Sequence, residues 1–339
     1  MAMDARKQRI MQAIVTLYAL EGEPVGSSLL ANYFDMSVSS ATLRNEMAAL
    51  TKLGLLEQPH TSAGRVPSAK GYRYYLDNLL AADQPLDEAT AARIHETFVM
   101  LDQEPEKLAQ GAAKALARLT GYTAAVTMPR ADDLCIAHFE VVQVGRYAAA
   151  VLAVTSAGGV RTRVAHVNCG LTRNDAAALA ALLNRNLTFV APVDLRYSML
   201  NALCNEAGAA LAPVVTAAVG ILQDSAKPHV FLGGEQYLLQ WPEMQDYLPA
   251  LLDRLNDDER AGAMITPATG RTTVLLGEDL QPPMPGLCII SKRYMVGGGL
   301  TGSIALVGPT RMPFSRLIPV LEACAGELGQ GMAGKQSAD

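Results

Sequence analysis

The chain has 339 residues, half of them hydrophobic and 18% charged, with a formal net charge of -5. That length is too great for one ordinary core and predicts roughly two to three domains, and the apolar content excludes a largely disordered chain. The acidic balance excludes a uniformly basic nucleic-acid coat but hides local fields, since residues 1–82 carry 8 Lys and Arg against 7 Asp and Glu while the rest carries 20 against 26.

From Arg6 to Leu20, Ile10, Ile14 and Leu17 recur at helical spacing with Met11 beside them, which predicts an amphipathic helix stopped by GEPVG. Ser27 and Ser28 offer caps for a second short helix, SLLANYF, ending near Asp35. A third helix follows in SVSSATLRNEMAALTKLG, with Ser39 or Ser40 as N-cap and Gly54 as the left-handed exit. Leu43, Met47 and Leu50 form its apolar stripe, which leaves Ala41, Asn45, Ala48 and Lys52 opposite, flanked by Thr42 and Arg44. LLEQ then predicts a short strand, EQPHTSAGRVPSAKGYR a polar loop, and Arg65-Val66 a return strand ended by Pro67. SAKGYRYYLDNLLAA resumes the helical period. Three short helices followed by strand, loop and strand is the order of a winged helix-turn-helix.

Residues 81–92 are polar and contain Pro85, as a linker would. Helical pattern returns from Ala91 to Leu119 with a break at Pro105, and YTAAVTMP at 122–129 predicts a lone strand. Three Gly-punctuated strands follow in CIAHFEVVQVG, RYAAAVLAVTSAGG and VRTRVAHVNCG. Next come an alanine-rich helix capped by Thr172 or Asn174 and two more helices near 194–206 and 207–223. HVFLGG is a strand, residues 235–264 are broken helix, TTVLLG, LCIISKRYM and LTGSIALVG are strands, and FSRLIPVLEACAGEL closes the pattern before a frayed GQGMAGKQSAD. The strand at 122–129 lacks a nearby partner. A sheet interrupted by a block at about 134–226 accounts for it.

Cys135, Cys169, Cys204, Cys288 and Cys324 lie at least 34 residues apart, which is neither a disulfide framework nor a zinc knuckle. Buried free thiols in a reducing cytosol are expected. MAMDARKQRIMQ has no apolar signal core. The uncharged run 207–223, unsurpassed in length along the chain, holds Pro213 and falls short of the ~20 residues of a membrane span. The expectation is a soluble cytoplasmic protein with no cofactor and no metal.

The stretches PVGSSLLANYF and SSATLRNEMAALTKLGLLEQPHTSAGRVPSAKGYRYYLD resemble the heat-inducible transcription repressor HrcA family. FLGGEQYLLQWPEM and YMVGGGLTGSIALVGPTRMPFSRLIPVL are similar to the same family. The resemblance covers nearly the whole chain and is weakest at about 130–226. It implies an α+β multidomain fold: an N-terminal winged helix-turn-helix, and a GAF-like α/β domain interrupted by an inserted dimerising domain. The expected boundaries are 1–82 for the DNA-binding domain, 83–103 for a linker and helix, 104–133 with 227–328 for the GAF-like domain, 134–226 for the insertion, and 329–339 for a disordered tail. The resemblance also implies a homodimer that binds double-stranded DNA at the CIRCE inverted repeat upstream of chaperonin and chaperone operons. In that family the GroE chaperonin supports repression, and heat or misfolded protein relieves it.

Major-groove reading needs Arg for guanine and Asn for adenine, and Arg44 and Asn45 are those types on the outward face of the third helix. The competing reading of Arg44 is a surface ion pair with Glu46 or a neighbouring carboxylate. Ser39, Ser40 and Thr42 suit phosphate oxygens at the helix N-terminus. His60, Thr61, Ser62 and Arg65 lie along the loop, where Arg65 is the leading candidate for backbone or minor groove and His60 is equally suited to a structural hydrogen bond. Lys70 and Arg73 open the next helix within reach of phosphates, and Gly64 and Pro67 shape the turn.

Three other functions compete. An enzyme is disfavoured because VGGGLTG and LGGE lack phosphate-loop spacing and the five His are scattered. A small-molecule sensor is open, since GAF-like folds often hold ligands, although no polar cluster at 229–308 announces one. The inserted block also fits an interface with a partner other than a second copy.

Overall fold

The computed structural model of the chain describes residues 3–60, 63–80, 86–130, 135–156, 159–190, 194–225, 227–267, 269–296 and 300–334. The chain forms two compact units. One comprises Met1–Met128, Val230–Val296 and Gly302–Asp339, and the other Pro129–His229 with Gly297–Thr301.

The first unit opens with α1 (Ala5–Glu21), whose N-cap Asp4 accepts from the Lys7 amide and whose exit is Gly22 at φ 73. Its stripe of Ile10, Met11, Ile14 and Leu17 is buried. The cap of α2 (Ser27–Tyr33) differs from expectation: Gly26 holds the N-cap position without a side-chain bond. The Ser27 hydroxyl instead meets Ser40 Oγ at 2.9 Å. In α3 (Ser40–Lys52), Ser39 is the cap and Leu43, Met47 and Leu50 are buried. Gly54 then turns the chain at φ 73, a conformation open to glycine at little cost.

Two short strands form the wing base. β1 (Leu56–Glu57) and β2 (Val66–Pro67) pair antiparallel, Leu56 opposite Pro67 and Glu57 opposite Val66. A third strand piece that the pattern does not announce joins them: Val25 and Arg65 exchange both backbone hydrogen bonds at 2.9 Å. A Cβ on Gly64 would lie 2.4 Å from the Val25 carbonyl, so only glycine permits this approach. α4 (Ala69–Asn78), capped by Ser68, packs more closely still, since a Cβ on Gly71 would meet the Leu55 oxygen at 2.0 Å. Tyr72 and Tyr75 of α4 then lie against Phe314, ring centroids 6.2 and 6.4 Å away.

Residues 81–85 of the expected linker lie outside the described residues. α5 (Glu88–Val99) starts within the rest of it because Asp87 supplies an N-cap. α6 (Pro105–Thr120) has its proline at the first turn, where a missing N–H is harmless. β3 (Thr123–Thr127) is buried along its whole length.

The second unit follows. β4 (Ile136–Gly145), β5 (Ala148–Thr155) and β6 (Val160–His166) form an antiparallel sheet in that order. α7 (Arg173–Leu187), α8 (Tyr197–Ala207) and α9 (Ala212–Ser225) accompany it. Thr172 and Asp175 close α7 with a reciprocal capping box. Phe139, Val141, Val151 and Ala165 share a core with Leu183, Val215 and Leu222. Strand alternation sends Val142, Val144, Val160 and Val164 to the other face, where they are 43, 57, 59 and 53% exposed.

The chain returns to the first unit at β7 (Val230–Gly233). Two 3₁₀ turns lead to α10 (Leu248–Leu255) and α11 (Asp258–Ile265). β8 (Thr273–Leu276), β9 (Leu287–Val296) and β10 (Leu300–Pro309) complete a five-stranded sheet of order β7-β3-β10-β9-β8. The lone strand β3 thus pairs with β7 on one side and β10 on the other, Val126 opposite Phe231 and Ile304. This mixed α/β architecture is consistent with a GAF-like fold. α12 (Phe314–Met332) passes through Pro319 and corrects the expected start of the tail at 329. Gly329 is buried in the core cluster's last helix, where a Cβ would meet the Met295 oxygen at 2.6 Å, so packing on β9 extends the helix. Among the described residues no helix is long and apolar enough to cross a membrane.

Candidate nucleic-acid interface

The face of α3 opposite its buried stripe is open. Ala41, Arg44, Asn45 and Lys52 are exposed, with Thr42 and Ala48 half-buried beside them. The competing ion pair for Arg44 does not form, because Glu46 turns to Lys7 at 3.2 Å instead. Asp4 first and Glu46 second raise the Lys7 pKa above its usual value, as expected for an ammonium between two carboxylates. Arg44 and Asn45 have no side-chain hydrogen bond or ion pair within the described residues, so their donors face outward unspent.

The hydroxyls at the start of α3 are engaged. Ser39 Oγ accepts from the Thr42 amide at 3.2 Å and meets Thr42 Oγ1 at 2.9 Å. Ser40 Oγ is shared with Ser27 and pins α2 to α3. His60 is exposed at the wing, where its carbonyl accepts from the Ala63 amide at 2.8 Å. Thr61 and Ser62 lie outside the described residues.

The remaining three cations have internal partners that sequence spacing does not reveal. Arg65 is half-buried, and its Nε donates to Thr51 Oγ1 of α3 at 3.2 Å. Its Nη1 lies 3.5 and 3.4 Å from the Ala63 and Gly64 oxygens, so the side chain braces the wing against α3. Lys70 Nζ donates to the Leu53 oxygen at 2.9 Å and closes the carboxyl end of α3. Arg73 Nη2 bonds both Asp279 carboxylate oxygens at 2.7 Å, and this hydrogen bonding raises the guanidinium pKa further. Val25, Thr51 and Asp279 carry no local sequence signal, because each acts through a partner distant in the chain.

A helix anchored by one face and offering Arg and Asn on the other, followed at once by a braced strand–loop–strand, defines a winged helix-turn-helix DNA-binding protein. Residues 3–78 match the family model described as "Winged helix-turn-helix transcription repressor, HrcA DNA-binding". Residues 106–318 match the one described as "HrcA protein C terminal domain". The heat-inducible transcription repressor HrcA of Moorella thermoacetica is 36% identical over 97% of this chain and 98% of its own. That of Desulforudis audaxviator is 32% identical over 95% of this chain and 96% of its own. A crystal structure of a hypothetical protein, 22% identical, has the same fold at a TM-score of 0.61, covering 98% of this chain and 99% of that one. The chain belongs to the HrcA family of heat-inducible transcription repressors, which are DNA-binding regulators and not enzymes.

Proposed function

We propose that this repressor acts in the cytoplasm as a homodimer on the CIRCE inverted repeat upstream of chaperonin and chaperone operons. Arg44 and Asn45 read bases in the major groove, with Ser39, Ser40 and Thr42 on flanking phosphates. His60, Thr61 and Ser62 follow the backbone from the wing, while Arg65, Lys70 and Arg73 work chiefly by holding the wing and α4 in place. The observation that carries this reading is the exposed, unpaired Arg44–Asn45 face of α3.

The valine face of the inserted sheet supports the dimer. Val142 stands opposite Ala150 and Ala150 opposite Val164, and Val154 stands opposite Val160. The two valine rows are separated by the row Glu140–Leu152–Thr162, so the face is apolar in patches, which covering stabilises, and a two-fold dimer matches an inverted-repeat site. In the proposed cycle GroE sustains repression, and heat or misfolded protein relieves it by drawing GroE away. The test is an electrophoretic shift on the inverted repeat, with and without GroE, from growth temperature to heat shock. Specific binding that GroE strengthens and heating weakens is the expected result. Equal affinity for scrambled DNA would refute the operator reading, and a GroE-independent shift would refute the chaperonin arm.

A further inference from the structure

Within the first unit, the winged helix and the five-stranded domain enclose a cleft of about 390 Å³. Tyr18, Glu57 and Tyr72 line it from the DNA-binding side, and Glu243, Glu278 and Arg311 from the other. Its charges do not balance. Arg311 Nε donates to Glu243 Oε1, and the guanidinium carbon sits 4.9 Å from the centre of the Trp241 ring. Arg311, the one cation among the described lining residues, is therefore occupied; Arg73 acts on Glu278 from nearby but is bonded to Asp279, so Glu57, Glu278 and the second oxygen of Glu243 remain.

Two of the lining groups are unpaired as well as buried. Tyr72 is 3% exposed, and its hydroxyl has no hydrogen-bond partner among the described residues. Glu243 Oε2 is buried and equally without one. Buried polar atoms are nearly always paired, and those that are not call for an explanation. Both atoms are covered in the free protein, and an occupant reaches them by turning side chains of the lining, of which Glu243 is 30% exposed.

We propose that this cleft binds a small organic cation bearing a primary ammonium or guanidinium group. The nitrogen donates to Glu243 Oε2 and to Tyr72 Oη. Such charge-assisted bonds are the strong kind. Glu57 and Glu278 complete the neutralisation, and the phenol rings of Tyr18 and Tyr72 suit a cation's apolar body. An organic cation fits better than a metal ion, because no group of three or more metal-ligating side chains converges among the described residues. Its walls come from both the DNA-reading domain and its neighbour, so an occupant ties one to the other. That consequence rests on the winged-helix function proposed above, whereas binding itself does not.

The experiment is a thermal-shift titration of the full chain without DNA, at constant ionic strength, using putrescine, agmatine and spermidine as probes. At least one should give a saturable rise in Tm, as binding to the native state requires. Its apparent affinity should fall at least ~10-fold in Tyr72→Phe, which removes only the unpaired hydroxyl, and in Glu243→Gln, which keeps an acceptor for Arg311. If either variant fails to fold, the doubly substituted Glu57→Gln/Glu278→Gln chain replaces it. No saturable shift beyond the salt control overturns the proposal, as do equal shifts in wild type and variants. A shift that magnesium chloride reproduces also overturns it, in favour of a metal site. Failure of operator binding in a separate assay would leave this result standing, so the two readings fail independently.

Discussion

The α3 face and the outer face of the inserted sheet are both open, but to opposite chemistries. On α3 the exposed groups are a guanidinium and a carboxamide whose hydrogen bonds are unspent. On β4 and β6 they are chiefly the valines Val142, Val144, Val160 and Val164, with Glu140 and Thr162 in the row between them and Tyr147 51% exposed at the adjoining turn. Polar donors lose little in water and gain specificity only against a patterned partner such as base edges. Exposed apolar side chains grouped on one face gain by being covered, whatever the pattern opposite. Exposure alone therefore says little about function; the chemistry of the exposed groups identifies the class of partner.

The largest expected effect breaks the comparison at the apolar side. Replacing Val142 and Val164 together by Asp places two charges in the proposed dimer interface. We expect a monomer by equilibrium sedimentation and a loss of inverted-repeat affinity of about 10²-fold or more, because the second half-site contact becomes intermolecular. A wild-type dimer carrying both aspartates would exclude this face as the interface.

Arg44→Ala is next. It should leave sedimentation and thermal stability unchanged while removing about 1–3 kcal/mol of discrimination between operator and scrambled DNA, the usual size of one bidentate base contact. Arg65→Ala sharpens the distinction between a contact and a brace. We expect weaker operator binding with an unchanged slope of log affinity against log salt, since a lost phosphate contact would lower that slope by about 0.9. Arg65→Lys should not restore affinity, because an ammonium cannot brace both α3 and the wing as the guanidinium does.

Thiol reactivity separates the two units directly. Cys288 and Cys324 are buried in the first unit, whereas Cys135, Cys169 and Cys204 of the second are half-exposed. Burial raises the Cys288 thiol far beyond reach and pushes Cys324 up to about 12. Three thiols should react with Ellman's reagent in the native protein and five after denaturation.

The smallest effect concerns the α7 cap. Thr172→Ala should destabilise the inserted unit by about 0.5–2 kcal/mol. The hydroxyl of Thr172, then its backbone N–H, hold the Asp175 carboxyl below the usual range. A depressed carboxylate contributes its stability in full above its unfolded pKa and loses it as pH falls through the folded value. Wild type and Thr172→Ala should therefore converge in Tm on acidification and differ most near neutrality.

Much of the winged helix was legible because its signals are local. The stripe Leu43, Met47 and Leu50 set which side of α3 is buried, and that left Arg44 and Asn45 outward. Ser39 and Gly54 marked its ends through hydroxyl capping and a left-handed turn. The second helix showed the limit of the same logic: Ser27 has the chemistry of a cap but spends its hydroxyl on Ser40. Wing cations were the harder case. Arg65, Lys70 and Arg73 carry the charge that suits phosphate, yet each is satisfied within the fold, and periodicity carries no information about Thr51, the Leu53 carbonyl or Asp279 as their partners.

The order of elements, the winged-helix pattern and the family follow from neighbouring residues alone, because capping, helical stripes and long motif runs are local properties. Only the tertiary structure decided which chemistry stays available. It brought Val25 to Arg65 and Asp279 to Arg73, joined β3 to β7 and β10 across the insertion, and left the hydroxyl of Tyr72 buried without a partner. Those outcomes depend on long-range approach, where a hydrogen bond formed in one place removes a donor from another.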